Sequence, residues 1–145
     1  EYLNTATPLS EHVKVDLEMW GCPVSKGHIR EVIVALLNGR NPSMPSYTVC
    51  LECKRRGAVC VLVDNGTPCL GPVTRAGCGA ICPSCGRGCY GCFGPAKGAN
   101  LASLSGILER NESRPGETAQ LLRGISGNAA AFRNAAAILT KARPE

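Results

Sequence analysis

The sequence predicts an irregular, loop-rich domain with short α-helices, stapled through its cysteines and followed by a helical tail. Three observations predict it. Nine of the ten cysteines fall between Cys50 and Cys92. Seventeen glycines and ten prolines punctuate the chain, while aromatic residues make up only 4% of it. After Lys97 there is no cysteine and alanine becomes abundant. An interior this poor in large side chains buries little apolar surface, so a metal or disulfide framework has to compensate. The 145 residues suffice for one ordinary domain.

Residues 1–20 read as an extended lead-in, in which VKVDLEM alternates apolar and polar residues like a short strand. In GCPVSKGHIREVIVALLNGR, Ile29, Val32, Ile33, Leu36 and Leu37 recur at the spacing of an amphipathic helix. Ser25 is placed to cap its N-terminus and Gly39 to end it. That apolar stripe faces either a partner or the chain's own tail. NPSMPSY is a proline-punctuated loop. Residues 50–95 carry no secondary-structure period beyond the short apolar run AVCVLV, so this part wraps around something. In the tail, Leu101, Leu104, Ile107 and Leu108 mark one helix. SRPGE makes a break. Leu121, Leu122 and Ile125 mark a second helix, and Phe132, Ala135, Ala136 and Leu139 a third. The run NAAAFRNAAAIL suits either close packing on a partner helix or a local bundle. The chain thus divides into a lead-in (1–20), a cysteine-rich domain (21–96) and a tail (97–145).

The formal charge of +5 counts every cysteine as neutral, and metal-bound thiolates would offset it. The basic residues are not interleaved with stacking aromatics, which argues against a nucleic-acid partner. There is neither an apolar run long enough to span a membrane nor a signal-peptide pattern, and a cytoplasmic location is expected. The chain begins at Glu1 rather than Met, which points to cleavage, truncation or numbering from an internal position. Glu11, Asp16, Glu18 and Glu31 read as surface carboxylates, and no side chain reads as a catalytic acid, base or nucleophile.

The cysteines are Cys22, Cys50, Cys53, Cys60, Cys69, Cys78, Cys82, Cys85, Cys89 and Cys92. CLEC, CPSC and CYGC are three CxxC units, whose paired thiols converge on one metal more readily than they form separate disulfides. For a zinc ribbon, two such pairs lie about 12–20 residues apart. Cys50/Cys53 and Cys89/Cys92 are farther apart than that, and His12 and His28 lie outside the cluster region. Iron–sulfur clusters fit best, since a four-iron cluster takes four thiolates. Gly71, Gly77, Gly79, Gly86, Gly88, Gly91 and Gly94 let the backbone approach cluster sulfides closely. Lys54, Arg55, Arg56, Arg75 and Arg87 either offset the negative charge of such sites or face solvent. From spacing alone, Cys82, Cys85, Cys89 and Cys92 also make a ferredoxin-type set with Cys78 spare.

The order GCP, CLEC, C-x8-C-LGPVTRAGC and CYGCFGP, over roughly residues 8–95, resembles the C-terminal half of the small subunit of nickel–iron hydrogenases. It is most similar to the cytoplasmic group coupled to NAD(P), F420 or a similar acceptor. The resemblance implies two four-iron clusters: a distal one on Cys50, Cys53, Cys60 and Cys69, and a medial one on Cys78, Cys82, Cys89 and Cys92. Membrane-bound relatives use histidine where Cys50 stands, and relatives with a three-iron medial cluster use proline near Cys82. Cys82 rather than Cys85 matches the GCxxxCP spacing, which leaves Cys85 as a small buried thiol. Cys22 matches the last ligand of a third, proximal cluster, whose other ligands belong to a flavodoxin-like N-terminal domain with no counterpart here. The function implied is an electron relay. Its partners would be a large subunit carrying the nickel–iron centre and a flavin or iron–sulfur acceptor subunit. A free ferredoxin-like carrier and a zinc-binding scaffold are the alternatives.

Overall fold

In a computed structural model, residues 7–111 and 115–141 are described. They form seven α-helices: α1 (Lys26–Leu37), α2 (Val49–Arg56), α3 (Val61–Asp64), α4 (Ile81–Ser84), α5 (Leu101–Arg110), α6 (Pro115–Leu122) and α7 (Ala130–Lys141). Two 3-10 turns, Leu9–Glu11 and Gly71–Val73, complete the regular structure among the described residues. The helical, loop-rich architecture agrees with the sequence reading.

The strand expected in VKVDLEM does not form. Among the described residues the β-structure is limited to two isolated bridges, Thr48 to Arg75 and Thr74 to Pro95. The alternating segment finds no sheet edge to pair with, and Val13, Val15 and Leu17 remain exposed.

Helix α1 forms where the periodicity places it, but it packs through a different face. Val32 and Ala35 are buried, whereas Ile29, Ile33, Leu36 and Leu37 are exposed. The face that packs is the row of His28, Val32 and Ala35, one position round from the apolar stripe. The His28 ring meets Phe93 edge-on at 5.9 Å. Ser25 occupies the N-cap without a side-chain cap bond. Gly39 follows the last turn with φ +62°, and the Arg40 N–H bonds the Ala35 carbonyl at 3.0 Å.

Beyond α1, Arg40 grips Glu31 through both guanidinium nitrogens, at 2.6 and 3.0 Å, and the Ser43 N–H adds a third bond at 2.8 Å. The Arg40 hydrogen bond, aided by Ser43, lowers the Glu31 pKa to about 2 from 4.5. Because the folded value is the depressed one, the clamp's contribution is complete above pH 4.5 and lost as the pH falls towards about 2. The protection factor of the Ser43 amide against hydrogen exchange, expected to fall as the pH drops through that window and to be low throughout in Arg40→Ala, checks it.

One apolar core runs through the cysteine-rich part and the tail. Val49, Leu70 and Val73 pack with Leu104 and Leu108 of α5, Leu122 of α6, and Phe132 and Ala136 of α7. Helix α5 is capped by Asn100, whose side chain accepts the Ser103 N–H at 2.9 Å. Of the two arrangements open to the alanine-rich tail, the structure shows the local bundle, with α6 and α7 packed along each other. Ile125 lies beyond α6 and is exposed. The break expected at SRPGE falls partly outside the described residues, and Pro115 opens α6.

Candidate metal centre

The first group of thiols is built on α2, a helix that the sequence reading treated as aperiodic. Thr48 precedes it, and Gly57, at φ +65°, ends it. Cys50 and Cys53 stand one turn apart on this rigid element, so their sulfurs share a face. Cys60 occupies the N-cap of α3. Cys69 arrives buried from the opposite direction, just before the Gly71–Val73 turn. Its sulfur accepts two backbone hydrogen bonds, from Gly71 N–H at 3.4 Å and Cys89 N–H at 3.2 Å. A methyl on Gly71 would lie 3.2 Å from Cys69 Sγ and 3.7 Å from Cys50 Sγ, so glycine lets the main chain lie against both sulfurs.

The second group lines a cavity of about 260 Å³. Cys78, Cys82, Cys89 and Cys92 open onto it, and Cys22 joins them. Val49, Pro83 and Phe93 supply part of an apolar wall. Cys85 ends α4, is exposed, and does not line the cavity. Its exposure corrects the expectation of a small buried thiol: α4 turns Cys82 inward and carries Cys85 past the rim. Cys22 is also exposed, at the mouth of the same cavity.

The two groups adjoin through their backbones. Leu70 N–H bonds the Cys89 carbonyl at 2.9 Å, beside the Cys89 N–H to Cys69 Sγ bond. Gly88 makes this seam possible, because a methyl there would fall 1.9 Å from the Pro68 carbonyl oxygen.

The electrostatics follow from burial and crowding. Burial pushes the Cys89 thiol up to about 12. Cys53 rises to about 11, through burial and then the charges of Cys50, Cys69, Cys60 and Cys78. Cys50 is raised by burial, then by Cys69 and Cys60. Cys82 is raised by burial, then by Cys78 and Cys85, and Cys92 chiefly by burial. Lys54 opposes the rise at Cys50 and Arg87 that at Cys82, so two of the basic residues act on the thiols. Arg55 instead lies over the Tyr47 ring at 5.2 Å.

Such sets of mutually repelling, partly buried thiols become thiolates together only around a cationic group. Among the described residues, no three His, Cys, Asp or Glu side chains converge tightly enough for a single metal ion. The second group instead rings a cavity, and backbone N–H groups point at sulfur in the first. Four thiols per group is a donor set that fits an iron–sulfur cluster.

Glu52 is the residue that sequence reasoning missed. Between Cys50 and Cys53, it accepts the Gly77 N–H at 3.0 Å and the Ala80 N–H at 3.2 Å, tying α2 to the Cys78 loop. Its place inside CLEC was the only signal in the sequence.

The chain is similar to curated hydrogenase subunits. Sulfhydrogenase 2 subunit delta of Pyrococcus furiosus is 42% identical over 102 residues, covering 70% of this chain and 43% of that protein. A vhu subunit of the F420-non-reducing hydrogenase of Methanocaldococcus jannaschii is 39% identical over 119 residues, 67% of this chain and 41% of its own length. The iron-sulfur subunit of the F420-non-reducing hydrogenase of Archaeoglobus profundus is 32% identical over 123 residues, 66% and 38% of the two chains. The chain therefore spans about two fifths of the length of these relatives. No protein-family model matches it.

Proposed function

We propose that this chain is an electron-relay segment of a hydrogenase, equivalent to the C-terminal part of a nickel–iron hydrogenase small subunit. The observation that carries the reading is the pair of adjoining thiol groups, joined where Cys89 N–H meets Cys69 Sγ at 3.2 Å. Cys50, Cys53, Cys60 and Cys69 would hold one four-iron cluster, and Cys78, Cys82, Cys89 and Cys92 the other. When bound, such clusters take up and release single electrons. The chain's own part is to hold the sulfurs, direct N–H donors at them and keep the second site against apolar walls. Cys22 lines the second cavity; by the resemblance it would serve a third cluster completed by residues outside this chain. Hydrogen chemistry would belong to a large subunit with a nickel–iron centre, and electrons would pass to a flavin or iron–sulfur subunit. The exposed stripe of Ile29, Ile33 and Leu36 offers a face for such a partner. No described helix is long and apolar enough to cross a membrane, and a cytoplasmic complex is the setting we favour.

Anaerobic purification with metal analysis and EPR after reduction tests the relay. About eight irons per chain and negligible zinc are expected from two four-iron clusters. Stoichiometric zinc, or no more than about four irons in a fully loaded sample, would sink the assignment. Because Cys82 lines the cavity and Cys85 does not, Cys82→Ser should lose or convert one cluster. Cys85→Ser should keep the full iron content, and the reverse pattern would reassign the ligand.

A further inference from the structure

We infer that Glu52 is a positioning residue that ties the Cys78 loop to α2 and lays a negative charge against the Cys78 sulfur, lowering the reduction potential of the second site selectively. The inference rests on the relay reading above. Its two carboxylate oxygens divide the work: Oε1 accepts the Gly77 N–H at 3.0 Å and Oε2 the Ala80 N–H at 3.2 Å. Those N–H groups flank Cys78, whose Sγ lies 3.9 Å from Oε2. The loop needs such a hold, because Ala80 is a buried, non-glycine residue in the left-handed region, at φ +55°.

Among the described residues Glu52 makes no ion pair within 4.0 Å. Arg56, four residues on, is the natural helical partner. Its Nη1 lies 3.4 Å from Ser84 Oγ instead, and its guanidinium rests against Gly79. A half-buried negative charge beside a thiolate ligand disfavours adding an electron there. Cys50 and Cys53, two residues before and one after it on the helix, do not share its face. The effect therefore falls on the Cys78 site, although Glu52 belongs in sequence to the other ligand group.

The test is a redox titration of the anaerobically purified protein, followed by EPR, with iron content measured on the same samples. The second-site signal is identified as the one that Cys82→Ser removes. Glu52→Gln should keep the wild-type iron content and shift that signal to higher potential, with the other signal unmoved. Glu52→Asp, which keeps the charge, should stay nearer the wild-type value. Unchanged potentials in a fully loaded Glu52→Gln protein, or equal shifts at both sites, would overturn the inference and leave the relay standing. If Gln and Asp both lose the same iron, Glu52 is scaffolding only and the tuning role is overturned. If the wild type binds no iron, the relay reading falls and this inference with it.

Discussion

Replacing Gly88 with alanine should destabilise the protein by about 3–5 kcal/mol and disturb both thiol groups at once. The added methyl would sit 1.9 Å from the Pro68 carbonyl oxygen, a backbone atom that no rotamer change can move aside. Relief requires pulling Gly88–Cys89 away from Pro68–Leu70. That breaks the Leu70 N–H bond to the Cys89 carbonyl (2.9 Å) and the Cys89 N–H bond to Cys69 Sγ (3.2 Å). Both partners are buried, so each broken bond leaves an unsatisfied polar group costing about 1–3 kcal/mol. Chemical denaturation and iron content of Gly88→Ala are the measurements. A control is Gly86→Ala, where the added methyl meets nothing within 4 Å and only the φ of +71° is strained. If Gly88→Ala proves no worse than Gly86→Ala, the seam does not join the two sites.

Phe132→Ala should destabilise by a similar amount, about 3–5 kcal/mol, and weaken the second site from a position forty residues downstream of it in sequence. Phe132 is 1% exposed and is among the largest fully buried side chains. Its ring lies against the main chain of Gly91, where an added methyl would be 3.1 Å from Phe132 Cε2 and 2.9 Å from Leu70 Cδ1. Gly91 sits between Cys89 and Cys92, so α7 braces the turn that presents these two sulfurs. Removing the ring leaves a cavity under that turn. Phe132→Leu should recover much of the loss, because it refills most of the volume. Thermal unfolding and iron retention under a chelator would show it. A Phe132→Ala protein that unfolds late and keeps its iron would mean that the tail is dispensable to the site.

Much of the fold is legible in the sequence where a period survives. Leu101, Leu104, Ile107 and Leu108 locate α5, and Phe132, Ala135 and Ala136 locate α7, because a helix packed on one side repeats its apolar residues every three to four positions. Helix α2 escapes that logic. In VCLECKRR the buried contact is Val49, and the cysteines occupy positions that apolar residues would otherwise mark. Helix α1 shows the opposite failure. Its clearest stripe is exposed, while His28, Val32 and Ala35 make the contact, because Phe93 and Gly77 offer a surface that fits a ring edge. VKVDLEM has strand alternation but no partner strand, and alternation alone cannot supply one.

The thiol inventory, the division into CxxC units and the glycine-rich character of the ligand loops are all readable along the chain. These are local properties, set by residue type and spacing. Tertiary structure brings the thiols together in space. It set Cys82 on the cavity and Cys85 outside it, and brought Cys69 under the Cys89 amide. It also placed Glu52 from one ligand group against Cys78 of the other. Each of these depends on where distant segments cross, and crossings are governed by backbone hydrogen bonds and by the absence of a Cβ at Gly71 and Gly88. Neither leaves a periodic trace along the chain.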